Sequence, residues 1–94
     1  MAQALVVWKQ VPGWPEYEVS VFGAIRRAGR IMKPQLGTTG YWQVVLSRRG
    51  AKKQTKMSRL VLLTFVGPPP GPKYDAAHEN GRPTDDRLWN LSWK

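Results

Sequence analysis

His78 is the only histidine of the chain, and oxygen-bearing side chains follow it at set intervals, Asp86 eight positions later and Asn90 twelve. Around them run Ala77-His78-Glu79-Asn80-Gly81, then Asp85-Asp86-Arg87, then Asn90-Leu91-Ser92-Trp93. An imidazole exchanges protons near neutral pH, so it can take one from a water that attacks phosphorus. A hard divalent cation held by oxygen ligands and a scissile phosphate would stabilise the charge developing on the leaving oxygen. This spacing can pre-form a one-metal phosphodiesterase site.

Positioning such a site asks for particular elements. Thr84 is a candidate N-cap, with Asp85 and Asp86 in the first helical turn, where the dipole favours negative charge. Asp86 and Asn90 are then four apart and share a helical face. Lys73 to His78 has few helix signals and precedes Asn80-Gly81, a strong turn dipeptide, so His78 is expected at the end of an extended segment folding back toward that helix. Taken singly, a histidine beside Asn-Gly is more often a turn residue, and the acids read as caps. The combination with the rest of the chain lifts the constellation.

Charge is the second signal. The acids are Glu16, Glu18, Asp75, Glu79, Asp85 and Asp86, so none lies from Val19 to Tyr74, and the formal net charge is +9. The same interval carries Arg26, Arg27, Arg30, Lys33, Arg48, Arg49, Lys52, Lys53, Lys56, Arg59 and Lys73. Basic side chains grouped on short segments are the footprint of nucleic-acid binding. If roughly six of them neutralise phosphates, log K falls with log salt at a slope of about −5. A basic surface serving solubility alone usually mixes both signs.

Ninety-four residues allow one small domain or two subdomains sharing a modest core. With no cysteine and one histidine, disulfides and structural zinc sites are excluded. The longest apolar run, Leu60 to Val66, is broken by Thr64 and too short to span a bilayer. The N-terminus has no basic stretch ahead of its short apolar one, so it does not read as a signal peptide, and a cytoplasmic protein without membrane contact is expected.

Along the chain, Trp8 to Trp14 reads as a Pro/Gly-bearing lead-in and Tyr17 to Ser20 as a strand. Val21-Phe22-Gly23 turns into Ala24 to Ala28, and Gly29 precedes Ile31 to Gln35. Tyr41 to Ser47 is the strongest strand, rich in aromatic and β-branched residues. Arg48-Arg49-Gly50-Ala51 forms a basic turn into Lys52 to Lys56, giving a largely positive hairpin. Ser58 is a candidate N-cap for a helix from Arg59 to about Val66, more apolar than one exposed face requires. Gly67-Pro68-Pro69-Pro70-Gly71-Pro72 reads as a stiff linker or, alternatively, as a ligand for a partner domain. The expected organisation is a basic module over 1–66, a linker over 67–72 and a histidine-bearing unit over 73–94. Of the five tryptophans, most are expected in the core of so small a protein, with Trp42 open as a platform for bases because its strand leads into the basic hairpin.

This order of elements resembles the phage and intron-associated HNH homing endonucleases, in which a nuclease-associated modular DNA-binding motif precedes the HNH unit. The resemblance is carried by Trp8-Lys9 with Gly13, Tyr17-Glu18-Val19-Ser20 with Gly23, Lys33-Pro34, Gly40-Tyr41 with Val44 and Leu46, and Ser58-Arg59-Leu60-Val61 with Phe65. In the last third it rests on His78, Asn80-Gly81, Asp85 with Arg87, and Asn90-Leu91 with Trp93, and it covers nearly the whole chain. It implies an α+β fold, a small antiparallel β-sheet plus helix followed by a ββα-metal unit. His78 matches the general base and Asn90 the ligand of a single Mg²⁺ or Mn²⁺. Asp86 falls at the middle Asn of the motif, which braces the loop; it either accepts those hydrogen bonds without donating or turns to the metal.

Two further positions depart from the pattern. Ala77 stands where many relatives carry an Asp ligand, and Asp75 on the same strand face is roughly 7 Å away at about 3.3 Å per residue, too far without a bulge. Ser58 stands where relatives often have His. The leading expectation is therefore metal-dependent nicking or cutting of double-stranded DNA, with weak metal affinity. In it His78 is the base, Asn90 and Asp86 hold the metal, and Arg87 either contacts the phosphate or lies on the helix surface. Arg26 to Lys33, Trp42, Arg48 to Lys56 and Arg59 would position the duplex. Two alternatives stay open, a non-catalytic DNA-binding or regulatory protein on an HNH scaffold and an RNA-binding module. So do a homodimer, a phage-protein partner and a phage origin in a bacterial host.

Overall fold

The structure, a computed structural model, describes residues 7–94. Strand β1 (Trp8–Val11) pairs antiparallel with β2 (Trp14–Ser20), followed by β3 (Ile25–Arg27) and β4 (Arg30–Ile31), in the order β1-β2-β3-β4. A second antiparallel sheet contains β5 (Gln35–Leu36), β6 (Trp42–Arg48) and β7 (Ala51–Lys56). Helix α1 (Met57–Phe65) follows, then a third antiparallel pair of β8 (Ala76–His78) and β9 (Leu91–Trp93), the latter preceded by a single 3₁₀ turn at Leu88–Asn90. The class is α+β with antiparallel sheets and one α-helix among the described residues.

Local chemistry explains most of these elements and several departures from expectation. Trp8 to Trp14 is a hairpin, not a lead-in, because Pro12-Gly13 turns the chain back onto itself. Ile31 to Gln35 splits into β4 and β5 around Pro34, which lacks the N–H that a continuous ladder needs. The basic hairpin pairs Arg48 with Ala51, and its two turn residues, Arg49 and Gly50, both take positive φ, 51° and 83°. That backbone matches the twist of the flanking strands.

Helix α1 begins one residue before Ser58. Strand β7 runs directly into it, Lys56 at the boundary makes no side-chain cap, and Ser58 lies buried inside the first turn. Burial of Met57, fully enclosed, sets the start in place of a cap. The helix then faces two ways. Met57 and Leu60 join Val11, Tyr17, Val19, Ile25, Val44 and Leu46 in one core, with Trp42 packed against it, while Val61 and Leu62 pack with Leu91, Ala76, Leu88 and Trp93 in another. Trp93 Nε1 also donates to Gly67 O at 3.0 Å.

No tryptophan is fully buried. Trp8 lies beneath the Arg26 guanidinium and Trp93 beneath that of Arg59, whereas Trp89 is exposed. Tyr17 is the enclosed aromatic. Its hydroxyl accepts from Ser47 N at 2.8 Å, tying the first sheet to the second. Tyr17→Phe is expected to lower stability by about 1–2 kcal/mol, because it strips an inter-sheet N–H of its partner. Urea unfolding should show a lower midpoint at unchanged slope.

Candidate active site

The helix anticipated after Thr84 does not form. Leu88 N instead donates to Val21 O at 2.8 Å, and Asp85 Oδ1 accepts from Arg87 N in a local side-chain turn. Short polar side chains that bond their own backbone compete with helical turns, and here Asp85 and a tertiary backbone bond prevail. Asp86 and Asn90 therefore share no helical face; the first lies in a loop and the second ends the 3₁₀ turn before β9.

Each has its own task. Asn90 is 7 % exposed and its amide is used at both ends. Oδ1 accepts from Asn80 N at 3.1 Å, and Nδ2 donates to Asn80 Oδ1 and Asp85 O at 3.0 and 2.9 Å. It braces the loop that returns from His78. Asp86, 6 % exposed, faces His78, with Oδ1 2.8 Å from Nε2. Burial pushes the Asp86 carboxyl up, the hydrogen bond from His78 pulls it down, and Asp85 alongside raises it further; burial prevails.

With Asp86 ionised, Nε2 carries the proton and donates, which leaves the Nδ1 lone pair as the basic site. Nδ1 has no hydrogen-bond partner among the described residues, and the His78 side chain as a whole is 5 % exposed. His78 opens on a depression lined by Tyr41, Ala76, Ala77, Gly81 and Pro83. Tyr41 lies against the imidazole at 5.7 Å between ring centroids, and the Lys56 ammonium sits 4.3 Å from the Tyr41 ring centre. Neither Tyr41 nor the Asn80 brace was marked by the sequence as part of the site.

The structure separates the cations by partner. Arg26 pairs with Glu18 and Arg27 with Glu16, each at 2.8 Å, while Arg59 pairs with Asp75 at 3.3 Å and Lys56 lies 4.0 Å from it. Arg87 is clamped to Asp85 by two hydrogen bonds of 2.7 and 2.5 Å, and this contact holds the Asp85 carboxyl well below the usual carboxylate range. Arg30, Lys33, Arg48, Arg49, Lys52 and Lys53 are exposed and have no acidic partner among the described residues. Arg82, between two residues lining the histidine's depression, is a further exposed cation of this kind that the sequence reading passed over.

A divalent metal finds an incomplete set of donors. Among the described residues no three His, Cys, Asp or Glu side chains converge. The Asn90 amide and both Asp85 oxygens are engaged, and Ala77 offers no side-chain donor. What remains is Asp86 Oδ2 and His78 Nδ1.

The site loop rests on the first sheet. Ser20 Oγ accepts from Phe22 N and Ala24 N, shaping a tight turn whose Gly23 has φ 84°. A Cβ on Gly23 would lie 2.9 Å from Asp86 O and 3.0 Å from Asp86 Cβ. Beside it Phe22 and Trp89 meet edge to face at 5.3 Å.

The chain carries a NUMOD4 motif, matched over residues 7–47, and is homologous to HNH endonucleases in sequence and structure. Among its relatives, an uncharacterized HNH endonuclease of Acanthamoeba polyphaga mimivirus is 29 % identical over 68 residues, 72 % of this chain and 20 % of that protein. The structure describing DNA binding and cleavage by the HNH homing endonuclease I-HmuI is similar at a TM-score of 0.83 and 28 % identity. That similarity covers 94 % of this chain and 52 % of the other, so the chain spans about a fifth of one relative and half of the other.

Gly23→Ala introduces a left-handed alanine and a contact inside van der Waals distance of the Asp86 backbone. A stability loss of about 1–3 kcal/mol is expected, together with a shifted His78 ring signal in proton–nitrogen correlation spectra. Gly29→Ala, also at positive φ but with open space around it, should lose stability and leave the His78 signal in place.

Proposed function

We propose that this chain binds double-stranded DNA and hydrolyses a phosphodiester bond beside His78. The observation that carries the reading is the His78–Asp86 pair, which engages one ring nitrogen and leaves the other without a hydrogen bond beside a depression that His78 helps to line, in a chain whose β6–β7 hairpin carries exposed cations and no acid. Arg48, Arg49, Lys52 and Lys53 line the β6–β7 hairpin and would hold phosphates of one strand, with Arg30, Lys33 and Arg82 extending the track.

In the proposed step a water bonded to His78 Nδ1 gives its proton to the ring as its oxygen attacks phosphorus in line with the leaving oxygen. Asp86 keeps the imidazole in one tautomer and orientation and faces the charge the ring acquires. Asn90, through Asn80 and the Asp85 carbonyl, keeps the loop on which Asp86 sits from drifting. The HNH relatives imply Mg²⁺ or Mn²⁺ as the cofactor, supplying charge stabilisation at the phosphate when bound.

A second reading is a DNA-binding or regulatory protein on an HNH scaffold that no longer cleaves. Ala77 and the fully engaged Asn90 favour it. Plasmid nicking separates the two. With supercoiled DNA and millimolar Mg²⁺ or Mn²⁺, the wild type should give open circles. His78→Ala should lower the rate by about 10²–10⁴-fold, with duplex affinity unchanged, and a chelator should abolish nicking. Tight duplex binding with no nicking by the wild type establishes the second reading, and nicking that persists in His78→Ala removes the base from the mechanism.

A further inference from the structure

The His78–Asp86 pair has a second side. Besides facing His78, Asp86 forms part of a cleft of about 500 Å³ between the two sheets and the site loop. Phe22, Met32, Pro34 and Trp42 supply its apolar lining, Lys33 and Thr84 its other polar groups. Lys33 is exposed and has no acidic partner among the described residues. Asp86 Oδ1 is taken by His78, which leaves Oδ2 as an acceptor at the polar end. The phosphate track proposed above draws on Lys33 of this cleft and on none of its other lining residues.

We propose that the cleft receives one unpaired nucleobase of the DNA, adjacent to the nucleotide whose phosphate lies beside His78. The proposal rests on the DNA-binding reading above and names a subsite within it. Flat apolar walls with an indole suit the faces of a base, which any base can offer to an aromatic ring. The polar end suits its edge, since Oδ2 can accept from an amino group of adenine, cytosine or guanine. Lys33 suits the phosphate attached to it, and the volume accommodates a nucleotide while excluding a base pair still stacked in a duplex. Because Asp86 touches both the cleft and His78, an occupied cleft would set the distance between the bound strand and the general base.

The test compares full-chain binding to three duplexes of one sequence: fully paired, with a single bulged adenine, and with an abasic site in place of the bulged base. The bulged adenine is expected to bind at least about five-fold tighter than either control, the lower end of what stacking one base on an aromatic side chain is worth. Thr84→Trp, at an exposed position on the rim, fills the cleft and should bring the ratio to about one with paired-duplex affinity unchanged. Trp42→Leu should reduce the ratio as well, with folding checked by thermal melting.

Equal binding of the three duplexes overturns the subsite while leaving DNA binding intact. So does a bulge preference that survives Thr84→Trp, or one the abasic duplex matches. Failure to bind any of the three overturns the DNA-binding reading along with the subsite.

Discussion

The turn from Ser20 to Ala24 presses its backbone against that of Asp86, and the placement of the histidine pair depends on this contact. No side chain intervenes at Gly23, so the loop carrying Asp86 can sit down on the first sheet and Leu88 can bond to Val21. The buried serine that shapes the turn, the edge-on Phe22–Trp89 pair and the Asn90 brace keep the same loop from moving in three directions. A site formed mostly from loop residues thereby gains support from regular structure on one flank, which a catalytic geometry requires.

Helix α1 makes the complementary connection from beneath. Its two apolar faces serve two small cores and tie one to the other. The proline-rich run after it does not leave the third strand pair adrift, since Val61, Leu62 and the Trp93–Gly67 bond hold that pair against the helix. The basic surface and the histidine thus belong to one packed body, and the Lys56 ammonium approaches the imidazole by way of Tyr41.

How much of this was legible in the sequence follows from the range of the interactions. Alternation over Tyr41 to Ser47 and the Arg49-Gly50 turn are local, and the basic hairpin stands where they put it. His78 at the end of an extended segment before Asn80-Gly81 was legible for the same reason. The Thr84 helix failed because its competitor is distant: an amide at Leu88 is claimed by a carbonyl 67 positions earlier. Asp86 reads alone as an N-terminal helix acid or as a metal ligand, and only the fold shows that it meets the imidazole. Free and paired arginines likewise look alike in sequence, whereas Arg26 and Arg27 are occupied by Glu18 and Glu16 across strands.

The junction of β7 with α1 leaves its mark on how such a chain can diverge. Lys56 ends a strand and Met57 begins a helix with no loop between them. One residue inserted there would rotate the helix by about 100°, swinging Met57 and Leu60 out of one core and Val61 and Leu62 out of the other. Length variation among descendants of this architecture should therefore collect at the Gly37–Gly40 loop, the Arg49-Gly50 tip and the proline run. The path from hairpin to helix would keep its residue count even as its side chains change.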